Sequence, residues 1–106
     1  MEYDLAAQRY EDLAIELVDE NDGVTVGPDG LLVRGKLFAF LADADLVVEI
    51  PDSRAADLVS RGVAEPYVSG GHPDRNWVRV SSLELWPELA REAHEFVGAP
   101  PVGGQS

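Results

Sequence analysis

Between Val24 and Ile50 the chain breaks into apolar segments of three to six residues, too short for helices, with turn-forming Gly, Pro and Asp between them. Two of these segments have more apolar residues than a one-sided strand needs. Such a stretch folds as hairpins, and hairpin-linked strands pair antiparallel. "VTV" (24–26) and "LLV" (31–33) flank "GPDG", in which Pro28 fixes φ and Gly30 can take a positive φ. Gly35 permits a second tight turn. "KLFAFL" (36–41) and "DLVVEI" (45–50) then form another hairpin around Ala42 to Ala44. The expectation is a four-strand meander.

Helical periods flank it. Tyr3, Ala6, Ala7, Tyr10, Leu13, Ala14 and Leu17 recur at three- and four-residue steps, predicting a helix from Tyr3 to about Asp19 that stops at Asn21, Asp22 and Gly23. Past Pro51, Asp52 or Ser53 is expected to cap a short helix holding Ala55, Ala56, Leu58 and Val59, closed by Gly62. "AEPYVS" reads as an optional strand, with Pro66 confining it to an edge or a strand start. "GGHPDR" reads as a loop and "NWVRV" (76–80) as a strand. Ser81 and Glu84 have capping-box spacing ahead of a last helix whose stripe is Trp86, Leu89, Ala90, Ala93, Phe96 and Val97. Pro87 must lie in its first turn. The Gly- and Pro-rich tail, 98–106, is expected to be disordered, leaving one domain over 1–97. Segregated strands and helices define an α+β fold: an antiparallel sheet of five to six strands in two layers, with helices packed on it.

"GKLFAFL", "LVVEIP", "LVSRGVAEPY", "NWVRV" and "LWPELAREAHEFV" together resemble the TfoX N-terminal domain family and the related MmcQ/YjbR group, over roughly residues 3 to 97. The resemblance implies an α+β fold of the kind also seen in type III secretion chaperones. It implies no established enzymatic activity; family members are mostly uncharacterised, and the named member is a competence regulator.

The net charge is −12, from 8 basic and 20 acidic residues. That balance argues against nucleic acid and anionic membranes as partners. With no cysteine, disulfides and thiolate chemistry are excluded. The acidic, amphipathic start is unlike a signal peptide, and no apolar run reaches bilayer length, so a cytoplasmic protein is expected. No cofactor and no metal site are expected: His72 and Asp74 fall short of the three or four ligands a metal needs, and turn chemistry accounts for both. The serines lack a nucleophile-elbow context, and the glycines lack phosphate-loop spacing. Glu84, Glu88, Glu92 and Glu95 form an acidic ladder that reads as a solvated helix face.

Strand side chains alternate between faces. Without a bulge, Val24, Val26, Leu31, Val33, Leu37, Ala39, Leu41, Leu46, Val48, Ile50, Val78 and Val80 form one apolar face for the helices. The other face receives Thr25, Leu32, Arg34, Lys36, Phe38, Phe40, Val47, Glu49, Trp77 and Arg79. From that face, Arg34, Lys36, Phe38, Phe40, Val47, Trp77 and Arg79 make a candidate interaction surface: large apolar groups among scarce positive charge. An exposed patch of this kind marks an interface. The expected function is a small non-enzymatic binding or regulatory module that engages itself, as a homodimer, or a protein partner. Two other readings stand beside it. One is a secretion-chaperone-like protein holding an extended peptide. The other is a small-anion binder or enzyme using Tyr67, His72 and Arg75 around the "GGHPDR" loop, with Trp77 beside them.

Overall fold

The computed structural model describes residues 4–69 and 72–98, without the side chains of residues 69 and 72–75. The predicted contribution of Tyr3, the tail 99–106, and the side chains of His72 and Arg75 lie outside the described residues. Within them the fold is α+β: one open antiparallel sheet of six strands with three helices packed on it. The elements are α1 (Leu5–Glu20), β1 (Val24–Val26), β2 (Leu31–Val33), β3 (Lys36–Ala42), β4 (Asp45–Glu49), α2 (Asp52–Ser60), β5 (Glu65–Ser69), β6 (His72–Val80), a 3₁₀ turn (Leu83–Leu85) and α3 (Trp86–Gly98). The strand order is β1-β2-β3-β4-β6-β5, so β1 and β5 are the edges. None of the helices is long and apolar enough to cross a membrane, among the described residues.

Local chemistry explains most boundaries. The Asp4 carboxylate accepts the Ala7 N–H at 3.1 Å and starts α1, and Asn21 ends it by donating both backbone and side-chain N–H groups to the Leu17 carbonyl. The β1–β2 turn closes with Gly27 N–H donating to the Gly30 carbonyl at 2.8 Å. Gly30 has φ 148°, and a Cβ there would stand 2.6 Å from Phe40 Cβ, so this site needs glycine on both counts. The β2–β3 turn is Arg34-Gly35, both at positive φ, the geometry that matches the twist of a two-residue hairpin.

Three expectations at element ends are corrected. Pro51 occupies the N-cap position of α2, and neither Asp52 nor Ser53 caps it; Asp52 is already the first helical residue. Ser81 and Glu84 make no capping box. Ser82 is the cap of the 3₁₀ turn, without a side-chain bond, and α3 begins at Trp86, whose indole N–H donates to the Val80 carbonyl at 3.0 Å. That buried anchor, with Pro87 beside it in the first turn, fixes where the helix starts. Finally, residues 72–75 of the expected loop are strand: Ser69 pairs with His72, so β5 and β6 are one hairpin and β6 is longer than "NWVRV". The last helix also runs one residue into the expected tail, ending at Gly98.

The buried residues of all three helices join one core with a single face of the sheet, centred on Leu31, Ala39, Leu46, Val48, Ile50, Val78 and Val80. Two arginines tie the helices together above it. Arg54 of α2 grips Glu92 of α3 with two bonds of 2.9 and 3.0 Å and reaches Glu88 at 3.4 Å. Arg91 of α3 reaches Glu20 and Glu16 of α1 at 3.0 and 3.4 Å. Hydrogen bonds to Glu92 and Glu20 push these guanidinium pKa values up from an already high value. Part of the predicted acidic ladder therefore serves as the seat of a helix clamp.

Candidate interaction surface

The sheet's second face is built by β2, β3, β4, β6 and β5. On β4, Leu46, Val48 and Ile50 enter the helix-covered core, so by alternation Asp45, Val47 and Glu49 face the other way. Across the ladder Val47 pairs with Phe40 on one side and Arg79 on the other, and Glu49 pairs with Trp77. Leu32 pairs with Leu37.

A bulge changes the expected membership. Leu31 pairs with Ala39 but Leu32 with Leu37, which leaves Phe38 without an opposite residue. An extra residue on one strand breaks the alternation. Phe38 accordingly turns into the helix-side core, where it is 0% exposed and meets the His94 ring edge-on at 5.7 Å. Phe38 thus leaves the candidate surface, and Leu37, assigned to the core by simple parity, passes to the second face. Lys36 pairs with Val33, a core residue, so the same shift takes it off the second face by register. Arg34 is also displaced: it sits in the hairpin turn and lines an open cleft of about 460 Å³ on the helix side, with Glu20, Asp22, His94 and Glu95. Val26, expected in the core, is 58% exposed at the end of the edge strand β1.

The second face is therefore not basic. Of the three basic residues expected there, Arg79 alone remains by register, and it is neutralised by Asp45 at 3.0 Å and Asp43 at 3.7 Å. What remains is aromatic. Phe40 touches Tyr67 at 5.4 Å between centroids, edge to face, and Trp77 at 5.7 Å, tilted. β3 and β5 are three places apart, about 14 Å on a flat sheet, so the rings lean together over β4 and β6. A second irregularity helps: Pro66 pairs with Val78 but Tyr67 with Asp74, and bulges bend a strand and add twist. Gly30 belongs to this arrangement, since its missing side chain makes room for Phe40 and Leu37.

Val47 lies underneath. It is 0% exposed, and it is the one buried apolar residue, among the described residues, outside the helix-side core. Its cover comes from its own face, by neighbours such as Phe40 and Arg79. Phe40, Tyr67, Trp77, Leu32 and Leu37 are each only partly buried. Among the described residues no group of three or more His, Asp or Glu is placed to hold a metal. Tyr67, predicted as part of an anion loop, joins the aromatic group, and the loop's His72 and Arg75 side chains lie outside the described residues. Sequence reasoning missed Leu37 and Tyr67 as members of this face, and the double-Phe pattern of "KLFAFL" contains no local mark of a bulge.

No family model, no curated protein and no solved structure matches this chain.

Proposed function

We propose that this chain is a small protein-binding module whose working surface is the open sheet face, with Leu37, Phe40 and Trp77 at its centre. One observation carries the reading: a sheet face that no helix covers, among the described residues, holds Phe40 in ring contact with both Tyr67 and Trp77, each partly exposed. Aromatic groups of this kind supply the anchors at protein interfaces, because they bury much area at little cost in side-chain entropy. The TfoX-like resemblance of the sequence points toward the same class, a regulatory module without chemistry of its own.

The test is site-specific photocrosslinking in the full chain. A benzoylphenylalanine at Leu37 should yield a covalent adduct of discrete mass on irradiation. The same group at Ile15, 68% exposed on the helix layer, should not. Equal labelling at both positions, or none at Leu37, would overturn the proposal.

A further inference from the structure

We infer that the partner lays a basic segment on this face, with a Lys or Arg side chain against the aromatic rings and its charge among the carboxylates at the β3–β4 end. The inference rests on the proposed role of the open face and adds the chemistry of its partner.

The carboxylates carry it. Phe40, Val47, Arg79 and Glu65 are partners in one row across β3, β4, β6 and β5. At the β3–β4 turn, beside this row, Asp45 and Asp43 share Arg79 between them, at 3.0 and 3.7 Å. Glu65, across the ladder from Arg79, is exposed and in no ion pair among the described residues. Three carboxylates thus gather around one cation. Asp45, Glu65, Arg79 and Ser81 also line a small hollow of about 90 Å³, room for an ammonium group. The rings stand next to it. Tyr67 follows Glu65 by two residues on β5, about 7 Å along the strand, and Phe40 touches both Tyr67 and Trp77.

A partner that covers the rings also takes water away from Glu65. An apolar or neutral segment would leave that carboxylate desolvated and unpaired, which is costly. An acidic segment would add repulsion from three carboxylates and from a chain of net charge −12. A Lys or Arg side chain meets both demands. Its charge answers Glu65, and a cation over a ring face is attracted by the ring itself. The long apolar stem of such a side chain also suits a surface of partly exposed rings.

Fluorescence anisotropy with the full chain and labelled synthetic heptapeptides, alternating Leu with Lys, Gln or Glu, reads the charge directly. The Lys peptide should bind about tenfold tighter than the Gln peptide, and the Glu peptide should not bind. Raising the ionic strength from about 0.01 M to about 0.15 M should weaken the Lys peptide, as the Debye length falls from about 30 to about 8 Å. Glu65→Gln should weaken it about two- to fivefold, and Tyr67→Leu by a similar factor, through loss of the ring. Glu11→Gln makes the same charge change at an exposed position of α1 and should leave binding unchanged. Circular dichroism checks that each variant is folded. Equal losses at Glu11 and Glu65 would mean that net charge alone attracts the peptide, and would overturn the site. Equal binding of the three peptides, or no binding of the Lys peptide, would overturn the basic partner. With an adduct still formed at Leu37, the binding face would then stand with a partner of other chemistry on it; without one, both readings fall.

Discussion

The two faces of this sheet are both apolar, yet they are buried by different means. One is covered by three helices, and Leu46, Val48 and Val80 on it are sealed by side chains from other layers. Among the described residues the opposite face has no second layer, and Val47 is sealed by its own neighbours. The contrast shows that complete burial of a strand residue does not require a second layer, provided large rings can lean across it. It also shows that such cover is partial: the rings around Val47 stay partly exposed themselves.

The largest expected effect separates two phenylalanines that sit two residues apart. Phe38→Ala should empty a site in the helix-side core and destabilise the fold by about 3–5 kcal/mol. Phe40→Ala removes a ring that is still partly in water and should cost less than half of that by chemical denaturation. Equal losses would erase the distinction between the two faces.

Gly30→Ala comes next. The added methyl would meet Phe40 Cβ and Leu37 at a backbone angle that L residues rarely adopt. A loss of about 1–3 kcal/mol is expected, together with a changed near-ultraviolet signal from Trp77 and Tyr67. Loss of stability with an unchanged aromatic signal would mean that the turn, and not the packing of the open face, needs the glycine.

The smallest effect belongs to the covered side. Tyr10 of α1 is half-buried against the core, and burial raises its pKa above 10.0. The phenol therefore stays neutral in the folded chain where it ionises in the unfolded one. Its contribution is intact below pH 10.0 and is lost as pH rises through the folded value. The melting temperature should fall more steeply above that pH in the wild type than in Tyr10→Phe, and parallel curves would refute this.

Much of the fold was legible in the residues themselves. β1 and β2 have the bounds their alternation predicts, and the helices follow their three- and four-residue stripes. Pro66 does lie on an edge strand. The failures share one cause, a distant partner overriding a local rule. Phe38 turns inward to meet α3, which no pattern within β3 records. Ser81 loses its capping role because the Trp86 indole is tied to the Val80 carbonyl. The charge of the candidate surface depended on parity through Lys36 and Arg34, and one bulge with one tight turn was enough to remove both. The aromatic centre was half legible, through Phe40 and Trp77, whereas Tyr67 joins it only because β5 folds back beside β6.

The edges of the sheet bear on how this protein behaves in crowded solution. β1 offers only three residues to an incoming strand, and β5 presents Pro66, which has no N–H to give. A sheet with such margins cannot easily be extended sideways by copies of itself, the route by which exposed strands seed fibres. Lateral growth is discouraged at both edges, so concentration should yield discrete particles instead of filaments.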